Sequence, residues 1–253
     1  MSYISIKINQ FKISNTFALS NVYFDIAKGS ICTLIGNNGS GKTSFLNLLV
    51  KNHKLSKDMI YLDKQDLADL SFKSLSKYLA YVPQNNLIYP EVSVIDFVSM
   101  GRLPHTNFLG VLSRKDKAII DDVIDELKIT HLKQQTFGSL SGGQRQKVII
   151  ANALVQETPI IILDEPLNFL DLKASDEICE LIKHLKHQFN KTIILVLHEI
   201  QIAANLADQL IWFHDGTCVL KGDPKEIINV ANIEKYFGVK RKVTVTSDFI
   251  KID

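Results

Sequence analysis

The sequence predicts an α/β protein with a parallel sheet covered by helices. Antiparallel strands precede this sheet at the N-terminus, and a helical subdomain is inserted between its strands. Three observations support this fold class. Apolar runs of strand length alternate with helical patterns over residues 31–50 and 160–207. Residues 1–30 alternate polar and apolar side chains, as antiparallel strands do. Residues 88–135 have helical spacing.

The composition is that of an ordinary globular chain. Its 253 residues can bury a sizeable core in one large domain, or in one domain with a subdomain. The net charge of +2 does not indicate nucleic-acid binding. Cys32, Cys179 and Cys218 lack Cys-x-x-Cys spacing, which favours free thiols in a reducing compartment. Without a signal-peptide core or an apolar run of membrane length, we expect a cytoplasmic chain that can dock on a membrane protein.

A glycine-rich stretch, Gly36-Asn37-Asn38-Gly39-Ser40-Gly41-Lys42-Thr43, lies between the strand-like Ile31–Ile35 and a helical pattern over residues 44–50. In such a turn the backbone N–H groups point into one concavity, and the helix N-terminus adds positive potential. This is a cradle for polyphosphate, in which Lys42 would reach the β- and γ-phosphates and the Thr43 hydroxyl would coordinate Mg²⁺. The stretch, called the phosphate loop below, therefore predicts nucleotide binding.

The segments around this loop are predicted in order. Upstream, Phe11 and Phe17 could each stack on a purine base, or be buried in the core. Downstream, strand patterns cover residues 59–62 and 79–82, and Gln84 follows the second. Ser93 is predicted to cap a helix that Gly101 ends.

The next helix is predicted to begin with a cap made by Ser113 and Asp116. The loop of residues 102–110 before it is rich in large apolar side chains. These side chains either pack beneath the helical subdomain or form a docking face for another protein.

The second half of the chain continues the alternation. Residues 140–144, Leu-Ser-Gly-Gly-Gln, open a helix that runs to about residue 154, before Pro159. Residues 160–163 have the composition of a buried strand. A helix over residues 176–188, a strand over 192–197 and a helix over 200–207 follow. In the tail, Val243 and Val245 are strand-like and residues 240–242 are predicted to be a solvated run of charges.

Polar groups follow four of the strand candidates: the phosphate loop, Gln84, Asp164-Glu165 and His198. Because ligands bind at the carboxyl ends of strands in open α/β sheets, we expect these groups to converge on one edge. Asp164 is suited to hold Mg²⁺, and Glu165, one residue beyond, to polarise an attacking water. His198 is suited to contact the γ-phosphate.

The glycine-rich helix start Ser141-Gly142-Gly143 is a second predicted anion-binding site, yet it has no lysine of its own. A partner chain is therefore expected to supply the phosphate. Two copies related by a twofold axis would let each Ser141 cap the γ-phosphate held by the other's Lys42. Asp171 is spaced from Asp164 so that it can reach the same interface.

The phosphate loop, Gln84, residues 140–144, residues 160–165, Asp171 and His198, in this order, resemble the ATPase subunit of an ABC transporter, from about the N-terminus to residue 235. The resemblance implies an ABC ATPase (P-loop NTPase) core, with ATP and Mg²⁺ as cofactors. It implies a Walker A motif at residues 36–43, a Walker B motif at residues 160–164, and an aromatic ring near Phe11 that stacks on adenine.

The predicted site follows from the residues and the resemblance together. The expected catalytic residues are Glu165, His198, Gln84 and Lys42, with His198 as the switch histidine and Gln84 as the coupling glutamine. The expected nucleotide-binding residues are Phe11, Gly36, Asn37, Asn38, Gly39, Ser40, Gly41, Lys42, Thr43 and Ser44. The signature that acts in trans is Leu140, Ser141, Gly142, Gly143 and Gln144, the D-loop residue is Asp171, and the metal ligands are Thr43, Gln84 and Asp164.

Three segments further resemble importers of iron–siderophore, heme and cobalamin: Gly101-Arg102-Leu103-Pro104-His105, Leu112-Ser113-Arg114-Lys115-Asp116 and Gly238-Val239. The chain departs from the family where Leu167-Asn168-Phe169-Leu170 replaces the usual Thr-Ser/Thr-x-Leu, and where Glu199 follows His198. The alternatives are an importer or exporter with other cargo, or a related ATPase acting on nucleic acid. ATPases of the last class carry long coiled-coil insertions. The insertion predicted here, residues 88–135, has only about fifty residues and no sustained heptads.

The resemblance also implies the assembly and the domain division. We expect a homodimer of ATPase subunits, bound to integral-membrane permease subunits at the cytoplasmic face of the cell membrane, with a substrate-binding protein as an indirect partner and no nucleic acid. A single ABC ATPase domain is predicted, with the core and β subdomain in residues 1–87 and 136–237, the helical subdomain in residues 88–135 and a tail in residues 238–253.

Overall fold

The computed structural model describes residues 2–84, 90–246 and 249–253. The strands are β1 (Ser2–Lys12), β2 (Ala18–Ala27), β3 (Ile31–Ile35), β4 (Ile60–Leu62), β5 (Gln65–Asp66), β6 (Leu79–Val82), β7 (Ile160–Asp164), β8 (Thr192–Val196), β9 (Gln209–His214), β10 (Thr217–Gly222), β11 (Val243–Val245) and β12 (Ile250–Ile252). The helices are α1 (Lys42–Leu49), α2 (Phe72–Leu75), α3 (Val94–Met100), α4 (Arg114–Glu126), α5 (Gly142–Val155), α6 (Leu172–Phe189), α7 (Ile200–Leu206), α8 (Pro224–Ile227) and α9 (Val230–Phe237).

The chain divides into two compact units. The first unit holds the chain up to Phe72 together with the chain from Lys191 onward, and the second holds the residues between. The strands of the first unit lie in the order β5-β4-β1-β2-β10-β9-β3-β8. Its N-terminal part is antiparallel, because β1 pairs with both β2 and β4. Alternation sets this register, since Ile4, Ile6 and Ile8 all turn to the core and are at most 1% exposed.

Strand β3 lies between two parallel neighbours, β8 and β9. All five of its residues are buried, which explains why its sequence is a continuous apolar run and does not alternate. The strands predicted at residues 31–35 and 192–197 are confirmed, the second ending at Val196. Strands β9 and β10 had no counterpart in the sequence interpretation.

The second unit contains the parallel pair β6 and β7 and the helices from α3 to α6. Ser93 caps α3 by accepting a hydrogen bond from Asp96 N over 3.2 Å, and Gly101 ends it, as predicted. A Cβ atom at residue 101 would lie 2.1 Å from Asn152 O, so only glycine fits there. The predicted cap of α4 is confirmed as a capping box between Ser113 and Asp116.

Helix α6 begins earlier than predicted. It starts at Leu172 instead of residue 176, because the Asp171 carboxylate caps it by accepting a hydrogen bond from Ala174 N over 2.8 Å. Asp171 had been interpreted only as an interface residue. Helix α5 spans Gly142–Val155, in agreement with the prediction.

The loop before α4 carries an apolar surface. Leu103 is 57% exposed, Phe108 103%, Leu109 78% and Val111 61%. Since these side chains face solvent, the interpretation in which they pack beneath the helical subdomain is wrong. Their exposure agrees with the alternative, a docking face.

The predicted domain division stays a prediction. Its boundary between residues 87 and 88 lies outside the described residues, and residues 90–135 include α3 and α4. In the tail, β11 and β12 form an antiparallel hairpin, and residues 240–242 are exposed as predicted. Within residues 2–84, 90–246 and 249–253, no helix has both the length and the apolar character needed to span a membrane.

Candidate functional site

The phosphate loop connects β3 directly to α1 in the first unit. Gly36 has a φ of 144°, and a Cβ atom on it would lie 2.2 Å from Phe213 O. Both the backbone angle and the close approach therefore require glycine at this position. Gly41, with a φ of 109°, is the residue that turns the chain into α1. The loop thus ends on a helix N-terminus, where backbone N–H groups favour an anion.

Lys42 is held against the loop that it follows. Its side chain is 5% exposed. Its Nζ donates hydrogen bonds to Gly36 O over 2.7 Å, to Asn37 O over 3.0 Å and to Ser40 Oγ over 3.4 Å. Thr43, the next residue, is exposed in the first turn of α1. A lysine ammonium and a threonine hydroxyl therefore both lie at the N-terminus of α1, as the sequence motif predicts.

The rest of the predicted nucleotide-binding set lies in the same unit. Asn38 and Gly39 are exposed in the phosphate loop, and Ser44 is half-buried in α1. Phe11 and Phe17, the two aromatic residues that could stack on adenine, are both half-buried. The Phe11 ring makes an edge contact with His53, with centroids 6.0 Å apart. Phe17 Cζ lies 3.2 Å from the position of a Cβ atom on Gly41, so Phe17 borders the phosphate loop. Stacking of Phe11 on adenine stays a prediction.

His198 belongs to the first unit and follows the buried end of β8, where Leu197 is 3% exposed. The His198 side chain itself is exposed, two residues before α7 begins. Its predicted position just past a strand of the parallel sheet is therefore correct. Its contact with a phosphate stays a prediction.

The second unit places two acidic residues at the end of β7. The Asp164 side chain is buried, and Tyr81 Oη on the neighbouring β6 donates a hydrogen bond to Asp164 Oδ2 over 3.3 Å. Burial and the Asp164 carboxylate raise the pKa of Tyr81 well above its usual range, so the phenol stays protonated and remains a donor. The end of β7 thus carries a buried carboxylate.

Glu165 follows in an unusual backbone conformation, with a φ of 53°. Gln84 Nε2 donates a hydrogen bond to Glu165 Oε2 over 2.5 Å, and Asn168 Nδ2 donates one to the same oxygen. Two side-chain amides therefore orient one carboxylate. Gln84 was predicted as a site residue, whereas Asn168 was noted only as a departure from the family pattern. The signal that could have identified Asn168 is an amide three residues after the predicted catalytic carboxylate.

The signature segment forms the start of α5. Ser141 is the N-cap residue, and its Oγ accepts a hydrogen bond from Gln144 N over 3.3 Å. Gln144 Oε1 in turn accepts a hydrogen bond from Ser141 N over 3.0 Å, which completes a capping box. Leu140 is buried beneath the cap, while Ser141 and Gly142 are exposed. A Cβ atom on Gly143 would lie 2.9 Å from Ala174 Cβ, so this glycine allows α5 to approach α6.

Comparison with known proteins identifies the family. Residues 19–168 match the family model described as ABC transporter. The achromobactin transport ATP-binding protein of Dickeya dadantii (strain 3937) is 33% identical over 225 residues, which cover 89% of this chain and 84% of that protein. The petrobactin import ATP-binding protein YclP of Bacillus subtilis (strain 168) is 35% identical over 214 residues, which cover 85% of this chain and 84% of that protein.

Solved structures agree in fold. A metal-chelate type ABC transporter in an inward-facing conformation matches with a TM-score of 0.85 and 27% identity, over 100% of this chain and 96% of that one. A dimeric ATP-binding cassette bound to ADP and phosphate, in a post-hydrolysis state, matches with a TM-score of 0.73 and 26% identity. The match covers 87% of this chain and 98% of that one. The chain belongs to the ABC transporter family and is one of its ATP-binding ATPases.

Proposed function

We propose that this ATPase powers an ABC importer for metal chelates of the iron–siderophore, heme or cobalamin type. The observation that carries the proposal is similarity over most of the chain to siderophore import proteins. Of the relatives named above, one is an achromobactin transport protein and the other a petrobactin import protein. A third, at 32% identity over 89% of this chain, is an iron(3+)-hydroxamate import ATP-binding protein of Bacillus subtilis. The similarity to a metal-chelate type transporter supports the same cargo class.

ATP is bound through the phosphate loop. The N–H groups at the start of α1 and the Lys42 ammonium contact the phosphates, and an aromatic ring, Phe11 by prediction, stacks on adenine. Thr43, Gln84 and Asp164 are the proposed Mg²⁺ ligands. The donor set fits this ion, because a hydroxyl, a side-chain amide and a carboxylate all supply the hard oxygen atoms that it prefers. When bound, Mg²⁺ would neutralise developing charge on the phosphates.

Hydrolysis needs a group that orients the attacking water, and Glu165 is the proposed residue. Its carboxylate is fixed by the amides of Gln84 and Asn168, which limits the orientations it can take. A preorganised carboxylate accepts a proton from water at a smaller entropic cost than a mobile one. His198 is the proposed contact to the γ-phosphate.

The working form is proposed to be a homodimer in which each subunit completes the other's site. Ser141 and the glycines after it present a capped helix N-terminus to the nucleotide of the second copy, and Asp171 lies at the same interface. ATP then stabilises the closed dimer, and hydrolysis releases it. The dimeric cassette with ADP and phosphate is a related assembly.

The dimer is proposed to dock on permease subunits at the cytoplasmic face of the membrane, with a substrate-binding protein delivering cargo from the other side. The exposed apolar side chains of Leu103, Phe108, Leu109 and Val111 support a docking role for their loop. Closure of the ATPase dimer would move the permease through the region from Gln84 to Leu112.

The proposal is tested with Glu165→Gln in cells and in purified protein. We expect ATP-dependent dimers on size exclusion, a drop in ATPase turnover of more than about a hundredfold, and loss of uptake of radioactive iron bound to siderophore. Glu180→Gln is the matched control, because Glu180 pairs with Lys183 on the exposed surface of α6. Substantial turnover in Glu165→Gln would remove Glu165 from its role, and unchanged iron–siderophore uptake would contradict the cargo.

A further inference from the structure

The position of His198 depends on a short helix. Helix α7 begins two residues after His198 and has only seven residues. Its N-cap residue, Glu199, makes no side-chain capping hydrogen bond. Because nucleating a helix is costly, a helix of this length is not stable without tertiary contacts. His198 lies between β8, which ends at Val196, and α7, so what holds α7 in place constrains His198 from its C-terminal side.

Most of the fully buried side chains of α7 are small. Its buried side chains are Ala203, Ala204 and Leu206, two of which are alanine. An alanine methyl group removes far less surface from water than a leucine or isoleucine side chain. The half-buried Ile200 and Ile202 add to this packing, and the hydrogen bonds described next supplement it.

The opposite side of α7 is bonded to the C-terminal strand. Asn205 Nδ2 donates a hydrogen bond to Ile250 O over 2.7 Å, and Ile250 N donates one to Asn205 Oδ1 over 2.7 Å. One turn earlier, Gln201 Oε1 accepts a hydrogen bond from Ile252 N over 3.0 Å. Gln201 and Asn205 are four residues apart, so they lie on one face of the helix. The side-chain amides of Gln201 and Asn205 thus bond to backbone groups of β12, as a neighbouring strand would.

The strand that they hold is itself anchored. It pairs with β11 as a hairpin, and the pairing extends beyond it through hydrogen bonds from Asp253 N to Lys242 O over 2.9 Å and from Lys242 N to Asp253 O over 3.2 Å. The Ile250 side chain is 1% exposed. The hairpin therefore has a buried anchor as well as the amide bonds to α7.

The hairpin also borders the space beside His198. One cavity is lined by His198 and Gln201 on the side of α7, and by Val239, Arg241 and Ile252 on the side of the tail. All of these residues belong to the first unit. The tail thus reaches the surroundings of His198, although its sequence had predicted only strand-like residues and a solvated charge run.

We propose that the C-terminal hairpin is a positioning element for the ATPase reaction, and that Asn205, bonded to both backbone groups of Ile250, holds α7 and with it His198. This inference rests on the proposed role of His198 at the γ-phosphate. Asn205 is a positioning residue, since it acts through the backbone of α7 and not on the nucleotide.

The test compares Asn205→Leu, which removes both amide bonds, with Asn205→Asp, which keeps the acceptor for Ile250 N and loses the donor to Ile250 O. In the full chain we expect Asn205→Leu to lower kcat for ATP about tenfold and to change KM by less than about twofold, with Asn205→Asp between it and the wild type. Lys251→Ala is the control, because the Lys251 side chain makes an exposed pair with Asp253 and leaves the backbone bonds to α7 intact.

Hydrogen exchange gives a readout that does not depend on hydrolysis. Amide protection over residues 200–206 should fall in Asn205→Leu and stay unchanged in Lys251→Ala. If Asn205→Leu does not fold, judged by circular dichroism, the exchange over residues 200–206 is compared between full-length Asn205→Asp and the wild type.

A second background separates this inference from the proposed function. In a His198→Ala protein, Asn205→Leu should produce no further loss of kcat, because both changes act on one group. If Asn205→Leu lowers kcat by the same factor in the wild type and in His198→Ala, the role of the hairpin is overturned and the proposed function is left intact. Unchanged hydrogen exchange over α7 would have the same meaning. If His198→Ala and Glu165→Gln both left turnover unchanged, the proposed function would fail, and the hairpin proposal with it.

Discussion

Gln84 Nε2 lies 2.5 Å from Glu165 Oε2, and this hydrogen bond links the second residue after β6 to the first residue after β7. Since β6 and β7 are parallel neighbours, their carboxyl ends emerge side by side and bring the two side chains together. Asn168 bonds to the same oxygen. The carboxylate proposed to orient water is therefore fixed by groups from two segments of the second unit.

The first prediction concerns Asn168. Asn168→Ala should lower kcat about tenfold while KM for ATP changes by less than about twofold, because Glu165 loses one of the amides that orient it. Steady-state ATPase assays measure both constants. Asn52→Ala is the control, since Asn52 Nδ2 bonds to Asn47 Oδ1 on the exposed surface over 2.8 Å. A full kcat in Asn168→Ala would show that the bond is dispensable.

The second prediction concerns the buried ion pair at the base of the apolar loop. Arg102 is 3% exposed, and it bonds to Asp116 over 2.8 Å, to Val155 O over 2.6 Å and to Glu157 over 2.7 Å. Arg102→Met should lower the free energy of unfolding by about 3–5 kcal/mol, because it leaves the Asp116 carboxylate buried without its cation. Urea denaturation measures the change.

Two comparisons make the second prediction specific. The double variant Arg102→Met, Asp116→Asn should regain part of the lost stability, since the uncompensated charge is gone. Lys57→Met removes the exposed pair with Asp69 and should leave the free energy of unfolding nearly unchanged. A loss in Arg102→Met as small as that in Lys57→Met would contradict the prediction.

The third prediction is a dependence of stability on pH. Hydrogen bonds from the Ser113 hydroxyl and backbone, together with Arg102, lower the pKa of Asp116 from 3.8 to about 2. Since the folded pKa is below the unfolded one, the contribution of Asp116 to stability is complete above the unfolded pKa and is lost as the pH falls from about 4 to about 2. Denaturation series across this range should show a shallower decline for Asp116→Asn than for the wild type. Parallel curves would exclude Asp116 as a source of acid sensitivity.

The fourth prediction tests completion of the site by a second subunit. Ser141→Arg should reduce turnover by more than about tenfold, because a bulky side chain at the exposed N-cap would block a nucleotide held by another copy. Ser139→Arg is the control, on the turn just before the signature. Loss of the α5 cap costs about 1 kcal/mol, which thermal denaturation would detect separately. Unchanged turnover in permease-bound Ser141→Arg would contradict the trans arrangement.

The sequence predicted best the features that local residues determine. The phosphate loop, the caps at Ser93 and Ser113 and the buried strand β3 follow from short patterns, and all are confirmed as structural elements. Strand β9 was missed, because its place beside β3 depends on pairing Gln209 with Cys32 across much of the chain. The bonds between Asn205 and Ile250 are likewise long-range and involve an ordinary helix residue. The hydrogen bond from Asn168 was missed because an amide in a loop becomes informative only when it is considered together with Glu165, three residues before it.

The base of the apolar loop is fixed by the close backbone contact at Gly101 and by the buried ion pair between Arg102 and Asp116. Neither contact involves the side chains of residues 103–112. The segment from residue 103 to residue 112 can therefore diverge freely while its two ends keep their places. Exchanging this segment between relatives that serve different permeases should create hybrid subunits whose choice of membrane partner changes and whose intrinsic ATP turnover does not.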